Sequence, residues 1–146
     1  MGQKTHPRGL RIGIIESWES TWYEKKDYAK WLHEDLTLQK FIKERLFRAG
    51  ISRTEIKRKE SGSGTCTVRI HTARPGLVIG KGGSEVESVK KALKKTLGHP
   101  VQVNVNEIKR PALVACLVGE NIAQQIEKKV NYRRAVKKSI QSNMQL

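Results

Sequence analysis

Acidic residues are scarce in this chain of 146 residues: 14 Asp and Glu oppose 29 Lys and Arg, and the formal net charge is +15. Such a charge favours a polyanionic partner, either nucleic acid or an anionic membrane surface. Long apolar runs are also absent. No stretch approaches the roughly eighteen apolar residues of a membrane-spanning helix, and no signal-peptide core follows the start. We therefore expect a soluble, cytoplasmic protein that binds nucleic acid and no membrane.

Residues that build catalytic and metal sites are equally few. The two cysteines, Cys66 and Cys116, form no C-x-x-C motif, and both stand among apolar residues, which predicts buried and reduced thiols. The four histidines have no metal-ligand spacing such as H-x-x-x-H, and no recognisable nucleophile motif occurs. We expect no metal, no cofactor, no small-molecule substrate and no enzymatic activity.

The most informative feature present is a glycine loop, which consists of Gly80, Lys81, Gly82 and Gly83. Its glycines allow the backbone to approach a ligand closely. Ser84 is expected to cap the helix that follows, and Glu87 to complete a capping box. The loop then lies at a helix N-terminus, where unpaired N–H groups favour an anion and Lys81 adds positive charge. In so basic a chain, the expected anion is a nucleic-acid phosphate.

The spacing of the glycines excludes two other phosphate-binding loops. A P-loop needs four residues between its first glycine and the Gly-Lys pair, but Gly76 and Gly80 enclose three. A dinucleotide fingerprint needs a further glycine that this sequence lacks. What remains is G-x-x-G at the start of a helix, the loop with which a KH domain clamps nucleotide backbone. The alternative is a tight turn between two helices that binds nothing.

Composition and periodicity divide the chain into three segments. Residues 1–27 form a basic, turn-rich N-terminal arm, residues 28–109 an α+β domain, and residues 110–146 a helical segment. The order helix, strand, strand, helix, helix, strand predicts a three-stranded sheet with helices packed on one face. The predicted elements are a helix over 28–49 that stops at Gly50, strands over 51–60, 65–72 and 101–106, a hairpin loop over 61–64, a helix ending at Leu97, and helices over 112–129 and 131–145. The strand over 51–60 is rich in charge, which suits a sheet edge. The alternation of the strand over 65–72 predicts one apolar face, made of Cys66, Val68 and Ile70. Helical spacing predicts two apolar stripes, one of Val86, Val89, Leu93 and Leu97 and one of Val136, Ile140 and Met144.

Two groups of side chains have alternative interpretations. Aromatic residues in and after the arm, Trp18, Trp22, Tyr23 and Trp31, could stack on bases or anchor the arm to the domain. We favour anchoring, because Leu and Ile lie beside them. The tail carries four cations, Arg133, Arg134, Lys137 and Lys138, within an arc of about 140° on a helix, and no acid follows Glu127. These residues are candidate RNA contacts; the alternative is a solvated helix face.

Several stretches resemble the family of bacterial small-subunit ribosomal protein three. They are MGQKTHP from Met1, RIGI from Arg11, WESTWY from Trp18, PGLVIGKGG from Pro75 and YRRAVKK from Tyr132. The resemblance runs from Met1 to Leu146. It implies a type II KH domain in the middle segment, followed by the helical start of a second α/β domain that is truncated here. The arm then contributes further candidate RNA contacts, which are Lys4, Arg8 and Arg11.

The resemblance also implies a function. A member of this family lies in the head of the small ribosomal subunit on ribosomal RNA, beside ribosomal proteins four and five, with proteins ten and fourteen as neighbours. It contacts messenger RNA where the messenger enters, and residues matching Arg133, Arg134 and Lys137 help to unwind messenger helices. One rival is a free-standing KH protein, such as an RNA chaperone or assembly factor, although such a module has little need of the arm. A nuclease or helicase would need clustered carboxylates or a P-loop, and the sequence has neither.

Overall fold

The computed structural model describes residues 2–58 and 66–145. Its helices are α1 (Pro7–Arg11), α2 (Tyr28–Arg45), α3 (Pro75–Ile79), α4 (Ser84–Leu97), α5 (Ala115–Glu127) and α6 (Tyr132–Met144). Its strands are β1 (Ser20–Thr21), β2 (Ile51–Arg58), β3 (Cys66–Thr72) and β4 (Val101–Glu107). A 3₁₀ turn over Phe47–Ala49 links α2 to β2. The hairpin loop predicted over 61–64 lies outside the described residues.

The strands form one mixed sheet in the order β1-β2-β3-β4. β2 and β3 are antiparallel, whereas β1 pairs with β2 and β4 pairs with β3 in parallel. The predicted α+β architecture is confirmed, but the sheet has four strands and not three. The additional strand comes from the arm, where Ser20 lies opposite Ile56. β2 therefore lies inside the sheet, and its predicted position at an edge is wrong.

The core lies between the sheet and the helices α2 and α4. Side chains of a strand alternate between its two faces, and on β3 the apolar set, Cys66, Val68 and Ile70, is fully buried. Leu38 and Ile42 of α2 belong to the same buried cluster, as do Val89 and Leu93 of α4. These pairs are spaced by four residues, which places them on one helix face. The predicted stripe of α4 and the alternation of β3 are thus confirmed.

The two cysteines have different environments. Cys66 is fully buried, and burial raises the pKa of its thiol to about 11. Cys116 is exposed, so the prediction of a buried thiol there is wrong. On α5 it is the next residue, Leu117, that is buried. Successive helix residues point about 100° apart, so a helix that buries Leu117 turns Cys116 outward.

The tail helices bury fewer side chains than their patterns predict. On α6 the fully buried residue is Ala135. The predicted stripe of Val136, Ile140 and Met144 is only half-buried at Val136 and exposed at the other two positions. The small Ala135 side chain brings α6 close to α5 and leaves the larger apolar side chains at its rim.

A buried cluster of charges, which we call the Arg58 network, ties the arm to the domain. Arg58 donates to Oδ1 of Asp35 from Nε and Nη2, at 3.1 and 2.6 Å, and its Nη1 lies 2.7 Å from Oε2 of Glu34. Trp22 of the arm donates its indole N–H to the other carboxylate oxygen of Asp35, at 2.7 Å. The side chains of Arg58 and Asp35 are only 6% and 3% exposed, so both charges depend on each other for compensation.

Glu34 is the outer member of the network. Burial by itself raises the pKa of its carboxyl group, but Arg58 and then His99, 3.5 Å away, outweigh burial and hold that pKa below the usual 4.5. A carboxylate with a lowered pKa stabilises the fold above its unfolded pKa. That contribution is lost as the pH falls through the lower pKa of the folded state.

Aromatic packing completes the attachment of the arm. The Trp22 ring lies 5.3 Å from that of Tyr28 and 5.4 Å from that of Trp31, and Trp31 also faces the Arg58 guanidinium. The anchoring that we favoured is therefore observed for Trp22. Trp18 and Tyr23 are 64% and 62% exposed, so anchoring does not describe those two residues.

Candidate nucleic-acid interface

The glycine loop has a backbone that requires glycine. Helix α3 ends at Ile79. The next residue, Gly80, has φ 73° and ψ 179°, and Gly82 and Gly83 have φ of 61° and 82°. Residues other than glycine rarely adopt such backbone angles. The N–H of Gly80 donates to the carbonyl of Gly76 at 2.9 Å and closes the last turn of α3, and the N–H of Gly83 donates to the carbonyl of Gly80 at 3.4 Å across the loop. Lys81 is therefore held at the exposed tip of a rigid turn between two helices.

The predicted capping box is wrong. Ser84 has helical angles, φ −59° and ψ −38°, and it is the first residue of α4, whereas the cap position is taken by Gly83. No side chain of the described residues caps α4. Serine caps a helix only from an extended conformation, and the left-handed Gly83 already turns the chain into the helix. The N–H of Ser84 already donates to the carbonyl of Lys81. Within the described residues no side chain accepts from the N–H groups that follow it in the first turn of α4, so those groups can bind an anion.

The glycines differ in the space around them. A Cβ atom on Gly80 would lie 2.8 Å from Cβ of Glu85 and 3.0 Å from its backbone nitrogen. A Cβ atom on Gly82 or Gly83 would meet nothing within 4 Å. Gly80 is thus needed for packing of the turn against α4, whereas Gly82 and Gly83 present bare backbone to the solvent side.

This difference predicts unequal costs of alanine substitution. Gly80→Ala should lower the free energy of unfolding by about 3 kcal/mol, because it adds a clash to a backbone region that only glycine adopts readily. Gly82→Ala should cost about 1 kcal/mol, because it meets only the left-handed penalty. Urea unfolding of both variants measures the difference. Equal costs would mean that the turn relaxes away from Glu85.

An open groove of about 640 Å³ lies beside the glycine loop, between α4 and the edge strand β4. We call it the β4 groove. Apolar and polar side chains both line it, with Glu87 among the polar ones, and such a mixture suits a base and its backbone. The apolar lining is Ile79, Val86, Val103 and Val105, and the polar lining includes Arg69, Lys90, Asn104 and Asn106. Sequence patterns did not identify these residues. The signal that could have identified the groove was the order β3–α3–α4–β4. Its parallel crossover places β4 beside β3 and under α4.

The four tail cations are all exposed on α6. Among the described residues none of them forms an ion pair. Arg133 packs over the ring of Tyr132, with 5.7 Å between its Cζ and the ring centroid, and donates from Nε to the Tyr132 hydroxyl at 3.0 Å. The N-terminus of α6 is capped by Asn131, which accepts from the backbone N–H of Arg133. The cations are thus carried on a capped helix, separate from the glycine loop.

The three arm cations are not equivalent. Lys4 and Arg11 are exposed, and neither forms an ion pair within the described part of the chain. Arg8 donates to Glu19 and lies 3.6 Å from Glu16, and the hydrogen bond to Glu19 raises the pKa of its guanidinium. Arg8 therefore holds α1 to the segment before β1, and its contact with RNA stays a prediction.

No group of three or more His, Cys, Asp or Glu side chains within residues 2–58 and 66–145 is arranged to hold a metal ion. No helix in this part of the chain is both long and apolar enough to cross a membrane.

Known proteins are similar to this chain in sequence, and a known domain family matches its middle part. The family model of the KH domain matches residues 37–113. The small ribosomal subunit protein uS3 of Geotalea uraniireducens (strain Rf4) is 52% identical over 144 residues, which are 99% of this chain and 67% of the relative. The protein of the same name from Pelotomaculum thermopropionicum is 52% identical over 147 residues, 100% of this chain and 62% of the relative. The chain therefore belongs to the family of small ribosomal subunit protein uS3 and contains a KH domain.

Proposed function

We propose that this protein is a structural constituent of the small ribosomal subunit in the bacterial cytoplasm and that it binds ribosomal RNA there. The observation that carries the proposal is the identity of about half of all positions with relatives of that name, over nearly the whole chain. Its high positive charge supports the proposal, because a protein embedded in RNA needs cations on many sides.

The glycine loop supplies a mechanism for binding. Phosphate approaches the bare backbone of Gly82 and Gly83, the uncapped N–H groups of α4 and the ammonium of Lys81. All of these groups attract an anion. The base attached to that phosphate then lies in the β4 groove, over Val103 and Val105. This is binding chemistry alone, and it needs neither a metal nor a catalytic side chain.

A finer proposal concerns messenger RNA. We infer that Arg133, Arg134 and Lys137 hold the backbone of incoming messenger while translocation pulls it, so that the strands of a hairpin stay apart. Their positions on one side of α6 support this role, because one strand can meet all three. Ribosomal proteins four, five, ten and fourteen of the small subunit are the proposed neighbours. Lys138, Lys4, Arg8 and Arg11 are proposed contacts with ribosomal RNA.

Sedimentation tests the proposed location. The tagged protein should co-sediment with small subunits after a wash in high salt. A free-standing RNA chaperone or assembly factor would instead remain at the top of the gradient or follow only immature particles. That result would reject a structural role while leaving RNA binding possible.

The messenger role predicts a selective defect. Ribosomes in which Arg133, Arg134 and Lys137 are all Ala should assemble and should translate an unstructured message at nearly the normal rate. A message with a stable downstream hairpin should slow several-fold, because three phosphate contacts are lost. The measurement is the ratio of elongation rates on the two messages. An unchanged ratio would reject the role in unwinding and would favour a contact with ribosomal RNA or a solvated helix face.

A further inference from the structure

A second cleft, of about 880 Å³, borders the glycine loop on the side of α2. We call it the Phe47 cleft. It lies between the end of α2 and helix α3, and Gly80 and Lys81 form one of its walls. The β4 groove is bordered by Gly83 at the other end of the same loop. An RNA strand that passes over the glycine loop therefore meets one concave surface on each side.

The Phe47 cleft exposes apolar surface. Phe47 is 49% exposed and Leu77 is 51% exposed. The core at this corner is filled by the neighbouring residues Leu46 and Ala49, which are 5% and 1% exposed. Phe47 is therefore not needed to fill the core, and its aromatic ring is exposed at the surface. Aromatic side chains beside cations are the usual stacking platforms for bases of single-stranded RNA.

The charge of the cleft is positive. Arg48 and Lys81 line it, are exposed, and form no ion pair within the described residues. The acidic side chain nearest to the loop, Glu85, is neutralised by Arg45, whose Nε lies 3.2 Å from Oε1 of Glu85. The Nη2 group of Arg45 also donates to the Ser88 hydroxyl, at 2.7 Å. Glu44, the other acidic residue of the lining, lies 4.0 Å from Lys40. Arg48 and Lys81 therefore remain to attract phosphate.

We propose that the Phe47 cleft binds the nucleotide of single-stranded RNA that adjoins the β4 groove. Its base stacks on Phe47 against Leu77, and its phosphate lies between Arg48 and Lys81. The inference rests on the proposed RNA binding at the glycine loop and extends the footprint beyond the roughly four nucleotides that a KH groove holds. Recognition by stacking is tolerant of sequence, because every base has an aromatic face.

The position of Arg48 indicates where an RNA strand bound in the Phe47 cleft continues. Phe47 and Arg48 also line a separate cleft that reaches Arg74 on one side and Ser139 of α6 on the other. RNA that leaves the Phe47 cleft past Arg48 therefore continues towards the tail helices and not back to the arm.

The test compares RNA lengths. Affinities of the whole chain are measured for an oligoadenylate of about four nucleotides, which fills a KH groove, and for one twice as long. In wild type the longer RNA should bind more tightly. Phe47→Ala should lower the affinity for the longer RNA about tenfold, which is the effect of losing one stacked base. The affinity for the shorter RNA should not change. Phe47→Trp should retain the gain, and Phe47→Leu, which keeps apolar volume without a ring, should lose it.

A second variant tests the phosphate contact. Arg48→Gln should reduce the slope of log affinity against log salt by about 0.7 for the longer RNA, with no change for the shorter one. Equal affinities of all Phe47 variants for the longer RNA would overturn the inference and favour a protein contact at this cleft. Equal losses for both lengths would also overturn it. If wild type bound neither RNA, the proposed function itself would fail.

Discussion

Replacing both Lys81 and Gly82 by Asp should weaken the binding of single-stranded RNA by about 100-fold, because two anions would then face phosphate at the N-terminus of α4. The fold should survive. Lys81 and Gly82 are exposed, a Cβ atom on Gly82 meets nothing within 4 Å, and Asp tolerates left-handed backbone better than most residues. Circular dichroism and a fluorescence titration with labelled RNA measure the two properties on the same samples.

The matched control is a pair of single variants. Lys81→Asp and Lys91→Asp make the same change in net charge, and both lysines are exposed, but Lys91 lies in the second turn of α4 and not in the loop. Lys81→Asp should lose far more affinity than Lys91→Asp. Similar losses would show that overall charge and not the glycine loop governs binding. Unchanged affinity in the double variant with an intact fold would leave the loop as a tight turn without a ligand.

Arg58→Met should lower the free energy of unfolding by about 3–5 kcal/mol, the usual cost of removing one partner from a buried ion pair. The Asp35 side chain, which is 3% exposed beside Arg58, would lose its cation and keep the Trp22 indole as its hydrogen-bond partner among the described residues. Urea unfolding followed by circular dichroism gives the free energy. The summed emission of Trp18, Trp22 and Trp31 should move to longer wavelength at the same time, because Trp22 would become exposed when the arm loses its attachment.

Arg53→Met is the control for this substitution. Arg53 also pairs with a carboxylate, that of Glu55 at 2.5 Å, but its side chain is 37% exposed. Its loss should cost about 1 kcal/mol or less. A double variant of Arg58→Met with Asp35→Asn should cost less than the sum of the single changes, because Asn keeps the Trp22 hydrogen bond and leaves no buried charge. Additive costs would show that Arg58 and Asp35 act independently.

Much of the domain could be predicted from local pattern. The alternation from Cys66 to Ile70 and the four-residue spacing of Val89 and Leu93 report directly which face is buried, and the structure agrees. Gly98 ends α4 with φ 74°, as its position after Leu97 indicates. These features depend on residues close in sequence, so a periodicity carries the information.

Features that depend on distant residues could not be predicted in this way. β1 is a strand only because Ser20 meets Ile56, and two residues have no period. Phe47 follows the buried Leu46 and reads as the end of a helix stripe, although it forms part of a cleft shared with Lys81. Tertiary geometry alone brings these groups together.

The Arg58 network has a consequence for synthesis on the ribosome. Trp22 is made before Arg58, and at roughly 5–20 residues per second the 36 residues from Tyr23 to Arg58 take about 2–7 s. From its own synthesis until that of Arg58, Asp35 has no cation to compensate its charge, and β1 has no complete β2 beside it. His99, the second partner of Glu34, is made later still. The arm of the nascent chain is therefore made first, but it docks only after the later residues to which it binds have been made.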